Sequence, residues 1–415
     1  MFYEKTYNMY KNECRCCGND RLKHIVALGV SPLANNLLNH VDDDDNSYPL
    51  DVAYCCKCNY AQLTYVVPPQ MLFDNYLYVS STAKTFRDHF RTAAADYVVE
   101  FGLDVDSVVV DIGSNDGIAL LPFKEEGIRV CGVDPAANLA KLANENGIET
   151  INAYFDAETT NRIVEKFGKV DLVTASNMFA HSDGIKDITT NVFRMLKDDG
   201  CFVVEVQYLL DTIKDLTFDN IYHEHLSYWS VTSLNNFFGN FGFFVVKVKH
   251  INTHGGSIRA YVKRHATKVD SSVQHFLNTE RDFGLNNEKI YESFFEEIKK
   301  IKVNVNKNLR ALKQEGLKLV GYGSPAKATT ALNYFDIGTN YIDYIVEDNK
   351  LKHNKILPGV KIPIYSKDRL KEDKPDVVII MAWNFSEEIK RNNRELIDLG
   401  IRFISIKDLQ SETFI

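Results

Sequence analysis

Two stretches of the chain share one order of apolar and polar positions. "SVVVDIGSNDGIALLPF" (107–123) and "KLVGYGSPAKATTALNYF" (318–335) each start with a short apolar run, turn at glycines, and continue with apolar residues at helical spacing. Such runs predict buried strands, and strand–turn–helix units in series predict doubly wound α/β folds, each with a parallel sheet. "VCGVDP" (130–135) and "LVTASNMFAH" (172–181) read as further strand ends of the first unit. Between the two α/β blocks, Ser271 to Gln314 is polar with apolar residues at helical spacing and predicts a long helix. The pattern divides the chain into a cysteine-bearing domain (1–75), a first α/β domain (76–265), a helical connector (266–315) and a C-terminal Rossmann-like domain (316–415).

Composition narrows the function classes. A chain of 415 residues exceeds what one small core serves. Its net charge of −8 disfavours nucleic-acid binding through a broad basic surface. No apolar run reaches the length of a membrane span, and "MFYEKTYNMYKNE" lacks the apolar core of a signal peptide, so a cytoplasmic location is expected.

Of eight cysteines, Cys14, Cys16, Cys17, Cys55, Cys56 and Cys58 cluster near the start. "CRCCG" and "CCKCNY" each contain C-x-x-C, the spacing that lets two thiolates on one turn reach the same tetrahedral ion. Cys14, Cys17, Cys55 and Cys58 are therefore the expected zinc ligands. Four thiolates close the coordination sphere, so the zinc is structural. Cys16 and Cys56 fall out of register, and Cys131 and Cys201 sit in apolar strands as core residues.

In the first α/β block, Asp111, Gly113 and Gly117 match a nucleotide-approach loop, with Asn115 where a central glycine often stands. Asp134 ends the next strand at the place where a carboxylate can accept from ribose hydroxyls. Asp156 in "AYFD" and Asn177 mark later strand ends. This order resembles class I methyltransferases that use S-adenosylmethionine (SAM). A nicotinamide-binding domain is the rival, but an acidic loop suits a sulfonium better than a pyrophosphate.

The whole chain resembles one family, the nucleotide-sugar C-methyltransferases that make branched deoxysugars. The resemblance rests on the cysteine knuckles, "DIGSNDG", "YHEHLSY", "HGGSIR" and "GYGSPAKATTALNYF", in that order. It implies a zinc-binding domain, a SAM domain and a C-terminal Rossmann-like domain. It also implies C-methylation, commonly at C-3, of a dTDP-4-keto-6-deoxy sugar; some members methylate C-5. The nucleotide is dTDP, GDP or UDP, no nucleic acid or membrane is a partner, and a monomer or weak dimer is expected. The family's catalytic neighbourhood maps onto Tyr222, Glu224, His225, Tyr76 and His181.

The chemistry accounts for such residues. A carbon beside a ketone must lose a proton, and the enolate oxygen must be stabilised. An imidazole can take that proton near neutral pH. His225 is the expected base, with Glu224 either orienting it or holding a sugar hydroxyl. "YHEHLS" is not a zinc-protease motif, because Ser227 stands where the second histidine is needed. Tyr222, Tyr76 and His181 are candidates to bind the ketone or enolate oxygen. His181 also reads as a turn residue and Tyr76 as packing. Arg259 and Lys327 are candidate diphosphate partners, and His254 and Gly323 candidate backbone-approach positions; a surface charge and simple turns are the plainer readings. The C-terminal glycine turn lacks the P-loop spacing and reads as a lid or a nucleotide-binding turn. A nicotinamide oxidoreductase and a zinc-ribbon nucleic-acid modifier are the competing classes.

Overall fold

The computed structural model describes residues 9–74, 76–82, 84–252, 255–266 and 268–414. The cysteine-bearing segment forms an antiparallel meander of β1 (Leu22–Pro32), β2 (Ser47–Cys55) and β3 (Tyr60–Leu63). The second zinc knuckle is the turn between β2 and β3, so metal binding and strand pairing support each other.

The first α/β block supplies β4 (Val108–Ile112), β5 (Arg129–Asp134), β6 (Thr150–Asn152), β7 (Val170–Ser176) and β8 (Leu196–Gln207), all parallel. The chain then detours. β9 (Ser227–Tyr228) leaves this block and pairs antiparallel with β3 of the meander. β10 (Phe244–Ile251) and β11 (Ser257–Lys263) return to complete a seven-stranded sheet of order β10-β11-β8-β7-β4-β5-β6. The expected parallel sheet is thus mixed, because β11 runs antiparallel to both neighbours. The link between β10 and β11 is too short for a parallel crossover, and Gly255 and Gly256 at φ +86° and +107° let it reverse.

The C-terminal block contributes β12 (Leu319–Tyr322), β13 (Ile345–Glu347), β14 (Ile364–Ser366), β15 (Val377–Ile380) and β16 (Arg402–Ser405). They form an all-parallel sheet of order β14-β13-β12-β15-β16, whose order reverses at β12. Ligand crevices form beyond the carboxyl ends of strands at such reversals.

The expected long helix is two. Helices Ser271–Phe283 and Glu288–Gln314 are separated at Gly284, whose left-handed φ of +84° ends the first one. The first is built into the neighbouring core. Glu280 is buried and accepts from the backbone N–H groups of Val231 and Thr232, the Thr232 hydroxyl and the Tyr208 hydroxyl. The second packs the Tyr291 ring, tilted by 35°, against Tyr54 of β2 at 4.7 Å between centroids.

The three blocks meet around one region. Thr329 and Thr330, on the buried helix Ala326–Phe335, donate to the carbonyls of Ala34 and Ile221. The acidic loop near residue 43 closes onto the C-terminal block, where Asp45 accepts from the Gly359 N–H and pairs with Lys361 at 3.2 Å. Among the described residues, no helix is long and apolar enough to cross a membrane.

Candidate active site

The four predicted zinc ligands come together. The Sγ atoms of Cys14, Cys17, Cys55 and Cys58 lie within 4.8 Å of one another, with Cys14–Cys58 at 3.5 Å and Cys17–Cys55 at 3.7 Å. Thiolates bound tetrahedrally at about 2.3 Å from zinc stand roughly 3.8 Å apart, so the donor set fits that ion. Three of the four are buried, which suits a closed structural site. Cys16 is buried beside them, and Cys56 is exposed.

A cavity of about 600 Å³ opens at the carboxyl ends of β4, β5 and β7, a volume typical of small-molecule sites. One wall holds Asp111, Gly113, Asn115, Asp134, Asp156 and Asn177. Gly113 has φ +72°, and a Cβ there would stand 2.5 Å from Met178, so only glycine fits this turn. Asp134 accepts from the backbone N–H groups of Asn115 (2.8 Å) and Ala136 (2.9 Å), which fixes its carboxylate at the cavity edge. Asp156 caps the helix Ala157–Phe167. Gly117 lies behind the wall, packed on Ile148, and serves the turn. The Asn115 amide also clasps the segment 76–82: it accepts from Ser80 N–H and donates to the Tyr78 carbonyl, both at 3.0 Å. These residues form a cradle that fits SAM.

Asp111 is fully buried at the end of β4 and accepts from the Thr174 hydroxyl at 2.6 Å. Burial lifts its carboxyl to about 7, against that hydrogen bond and helped by nearby Asp134. Its folded value lies above the unfolded one, near 3.9. The folded state therefore binds the extra proton, and stability falls as pH rises from about 4 to 7. Asp111→Asn removes this decline: calorimetric melts should show the variant gaining on the wild type across that window, by ~2–4 kcal/mol at its upper end.

At the centre, Tyr222 and His225 are joined. His225 Nδ1 lies 2.7 Å from the Asn220 carbonyl, which requires a proton on Nδ1 and leaves Nε2 as acceptor. The Tyr222 hydroxyl donates to that Nε2 at 2.7 Å. His181 tilts over the His225 ring at 4.9 Å between centroids and stacks on Phe73. Burial pushes its pKa down to about 4, so it is neutral at working pH. Tyr222, His225, His181 and Tyr76 all line the cavity.

Glu224 does not orient His225. Its side chain points to the other side of the loop, where it accepts from the Tyr76 hydroxyl (2.7 Å) and from Asn35 Nδ2 (2.6 Å). Residues 222–225 form a tight turn, closed by the His225 N–H donating to the Tyr222 carbonyl at 2.9 Å, which turns Glu224 away from the His225 ring. His225 finds its orienting group in a backbone carbonyl instead. His223 also points away, toward the Pro49 carbonyl at 3.2 Å.

The C-terminal wall holds Pro325, Ala326 and Lys327. Lys327 lies over the Trp383 ring at 4.4 Å, and burial lowers its pKa to about 8 against the pull of Asp219. Gly323 stands behind this wall at φ +85°, a turn position beside Ala382 rather than cavity lining. Arg259 is not a cavity residue. It is 3% exposed on β11 and forks onto Glu205 through Nε (2.9 Å) and Nη2 (2.7 Å). A hydrogen bond from His89 at 2.8 Å, together with Arg259, holds that carboxyl down at about 2 despite burial. An inward-facing strand position and a ready carboxylate on the paired strand absorb its charge. His254 lies outside the described residues.

Gln207, Lys352 and Asn35 line the cavity and escaped the sequence reading. Gln207 ends β8, so its strand-end position was a usable signal. Lys352, buried and donating to the Ser324 carbonyl at 2.7 Å, is indistinguishable in sequence from its neighbours in "NKLKHNK".

Known proteins resemble this chain along most of its length. Family models match in chain order: a zinc binding domain over 14–73, a methyltransferase domain over 86–248 and a C-methyltransferase C-terminal domain over 252–406. C-methyltransferase NovU of Streptomyces niveus is 38% identical over 397 residues, which cover 95% of this chain and 94% of that protein. Among solved structures, a SAM dependent methyltransferase from Archaeoglobus fulgidus is 20% identical, with 42% of this chain and 94% of that chain covered at a TM-score of 0.35. Magnesium protoporphyrin IX methyltransferase from Synechocystis PCC 6803, solved with SAH, is 13% identical, with 43% and 83% covered at a TM-score of 0.34. Near-full-length identity to NovU carries the assignment: this chain belongs to the SAM-dependent C-methyltransferases.

Proposed function

We propose that the enzyme methylates the carbon beside the ketone of a nucleotide-linked 4-keto-deoxyhexose, at C-3. The observation that carries this reading is the Tyr222–His225 pair in the same cavity as the cofactor-side glycine loop, an acceptor nitrogen fixed by a backbone carbonyl. SAM, when bound, supplies a methyl group made electrophilic by its sulfonium. The chain supplies the rest. His225 is the base, and its Nε2 accepts from the Tyr222 phenol. The proton leaving the sugar carbon therefore goes to the Tyr222 oxygen as the phenol's own proton passes to Nε2, leaving an imidazolium and an enolate. Tyr76, held by Glu224, and His181 shape the space around the ketone. Asp111, Gly113, Asn115, Asp134, Asp156 and Asn177 hold the cofactor. Two buried cations, Lys327 and Lys352, face the cavity from the C-terminal block, where a diphosphate and an enolate oxygen need positive charge. That pairing of a base with cations is what a nucleotide-linked ketose requires.

Incubation with methyl-labelled SAM and a panel of dTDP-, GDP- and UDP-linked 4-keto sugars tests the proposal. Label on C-3 of one of them is the expected result. Label on C-5 corrects the carbon, and no label on carbon with any of them overturns the substrate class.

A further inference from the structure

We propose that Arg15, inside the first zinc knuckle, is a positioning residue for proton abstraction, tying the catalytic loop to the metal site. The proposal rests on the reading of His225 as the base.

Arg15 stands between two zinc ligands, yet it is only 9% exposed and runs inward rather than to solvent. Its Nη1 donates to the carbonyl of Leu226, the residue after His225, at 2.9 Å. Its Nε donates to Asp183, two residues beyond His181 and itself at the cavity wall, at 2.7 Å. The remaining contacts are with Tyr60 and Leu63 of β3. The backbone continues the link: Leu63 N–H donates to the same Leu226 carbonyl at 3.0 Å, and Leu226 N–H donates to the Ala180 carbonyl at 2.9 Å. One planar cation therefore holds both histidine-bearing segments against the turn that binds zinc.

The choice of residue type follows. A guanidinium presents several donors in a rigid fork, which an ammonium does not. Burying a cation is costly unless its donors are satisfied, and here a carboxylate and two carbonyls satisfy them. Zinc ligands on either side pin the root of the side chain, so the reach of the fork is transmitted to the Leu226 carbonyl rather than lost in loop motion. Displacing a reacting group by about 1 Å costs on the order of a hundredfold in rate.

Exchange of solvent deuterium into the carbon beside the ketone, followed by mass spectrometry, isolates this step from methyl transfer. The probe is whichever 4-keto nucleotide sugar accepts label in the methylation assay. Arg15→Met is expected to slow exchange and kcat together by roughly 10- to 100-fold, with zinc content and calorimetric SAM affinity unchanged. Arg15→Lys should recover part of the loss. Asp183 pairs with Lys11 at 2.7 Å as well as with Arg15. Asp183→Asn should slow exchange too, and the double variant should fall less than the product of the singles, since the two share the Arg15–Asp183 contact. Lys57→Met, at an exposed site in the second knuckle, should behave as wild type. Wild-type exchange in Arg15→Met overturns the proposal, as does additive loss in the double variant. Should Arg15→Met not fold, Arg15→Lys reads the same link, because an ammonium presents no fork to Asp183 and the Leu226 carbonyl together, and wild-type exchange there overturns it equally. His225→Asn separates the two readings. Exchange lost in His225→Asn but intact in Arg15→Met removes only the positioning role; exchange intact in His225→Asn removes the base on which it depends.

Discussion

Replacing His225 by asparagine will slow proton exchange beside the substrate ketone by about two to four orders of magnitude, the usual contribution of a positioned general base. The size of the effect follows from how completely the ring is fixed. One nitrogen donates to the Asn220 carbonyl, and the other accepts from Tyr222, both at 2.7 Å. An asparagine amide can still donate to the Asn220 carbonyl, so the loop keeps its anchor while the basic nitrogen is lost. SAM affinity, measured by calorimetry, should be unchanged, because the cofactor-side wall is built from β4, β5 and β7 and does not include this loop. Tyr222→Phe should slow exchange by a smaller factor. Exchange at the wild-type rate in His225→Asn would remove it as the base.

Cys58→Ser is expected to empty the zinc site and abolish methylation while leaving SAM binding in place. Structural zinc contributes on the order of 10–16 kcal/mol to folding in small finger peptides, far more than a domain of this size can spare. The loss should spread along a defined path. Cys58 belongs to the turn that joins β2 to β3, β3 pairs with β9, and β9 begins two residues after His225. One face of the seven-stranded sheet, with Val109, Val130, Leu172 and Val203, packs in a core separate from the zinc domain, while the other face shares the zinc domain's core. A cofactor-binding but inactive and less stable protein is therefore the outcome to look for. Metal analysis and SAM titration on the same sample check both halves. Full zinc occupancy in the variant would show that buried Cys16 takes the vacant coordination position.

What could be read from the chain depended on whether the signal was local. The paired C-x-x-C turns and the strand–glycine–helix units are complete within a few residues, and the structure places Cys14, Cys17, Cys55 and Cys58 together and Asp111, Gly113, Asn115 and Asp134 on one wall. Arg259 misled because a cation beside "GGS" looks like an anion site until its strand neighbour is known. Glu205 lies far away in sequence, and only the antiparallel register of β11 on β8 brings the two together. Glu224 misled for a related reason. Adjacency in "YHEH" suggests a pair, whereas the turn over residues 222–225 sends Glu224 to Tyr76 and Asn35. Lys352 and Arg15 had no sequence signal at all, because nothing in a lysine-rich turn or a zinc knuckle says which cation will be swallowed.

The short strand β9 bears on how the protein is made. Tyr60 meets Ser227 across 167 positions of chain, and the helix behind the catalytic loop reaches back from Thr329 to Ala34 across 295. Contacts of such separation close late, after the loop-closure entropy of the intervening chain has been overcome. A nascent chain on the ribosome can complete its zinc turn and its seven-stranded sheet, but not the cavity, whose far wall holds Lys327 and Lys352. The cavity is therefore complete only with the C-terminal block, and under the proposed mechanism a truncated chain lacking it should not exchange the proton beside the ketone.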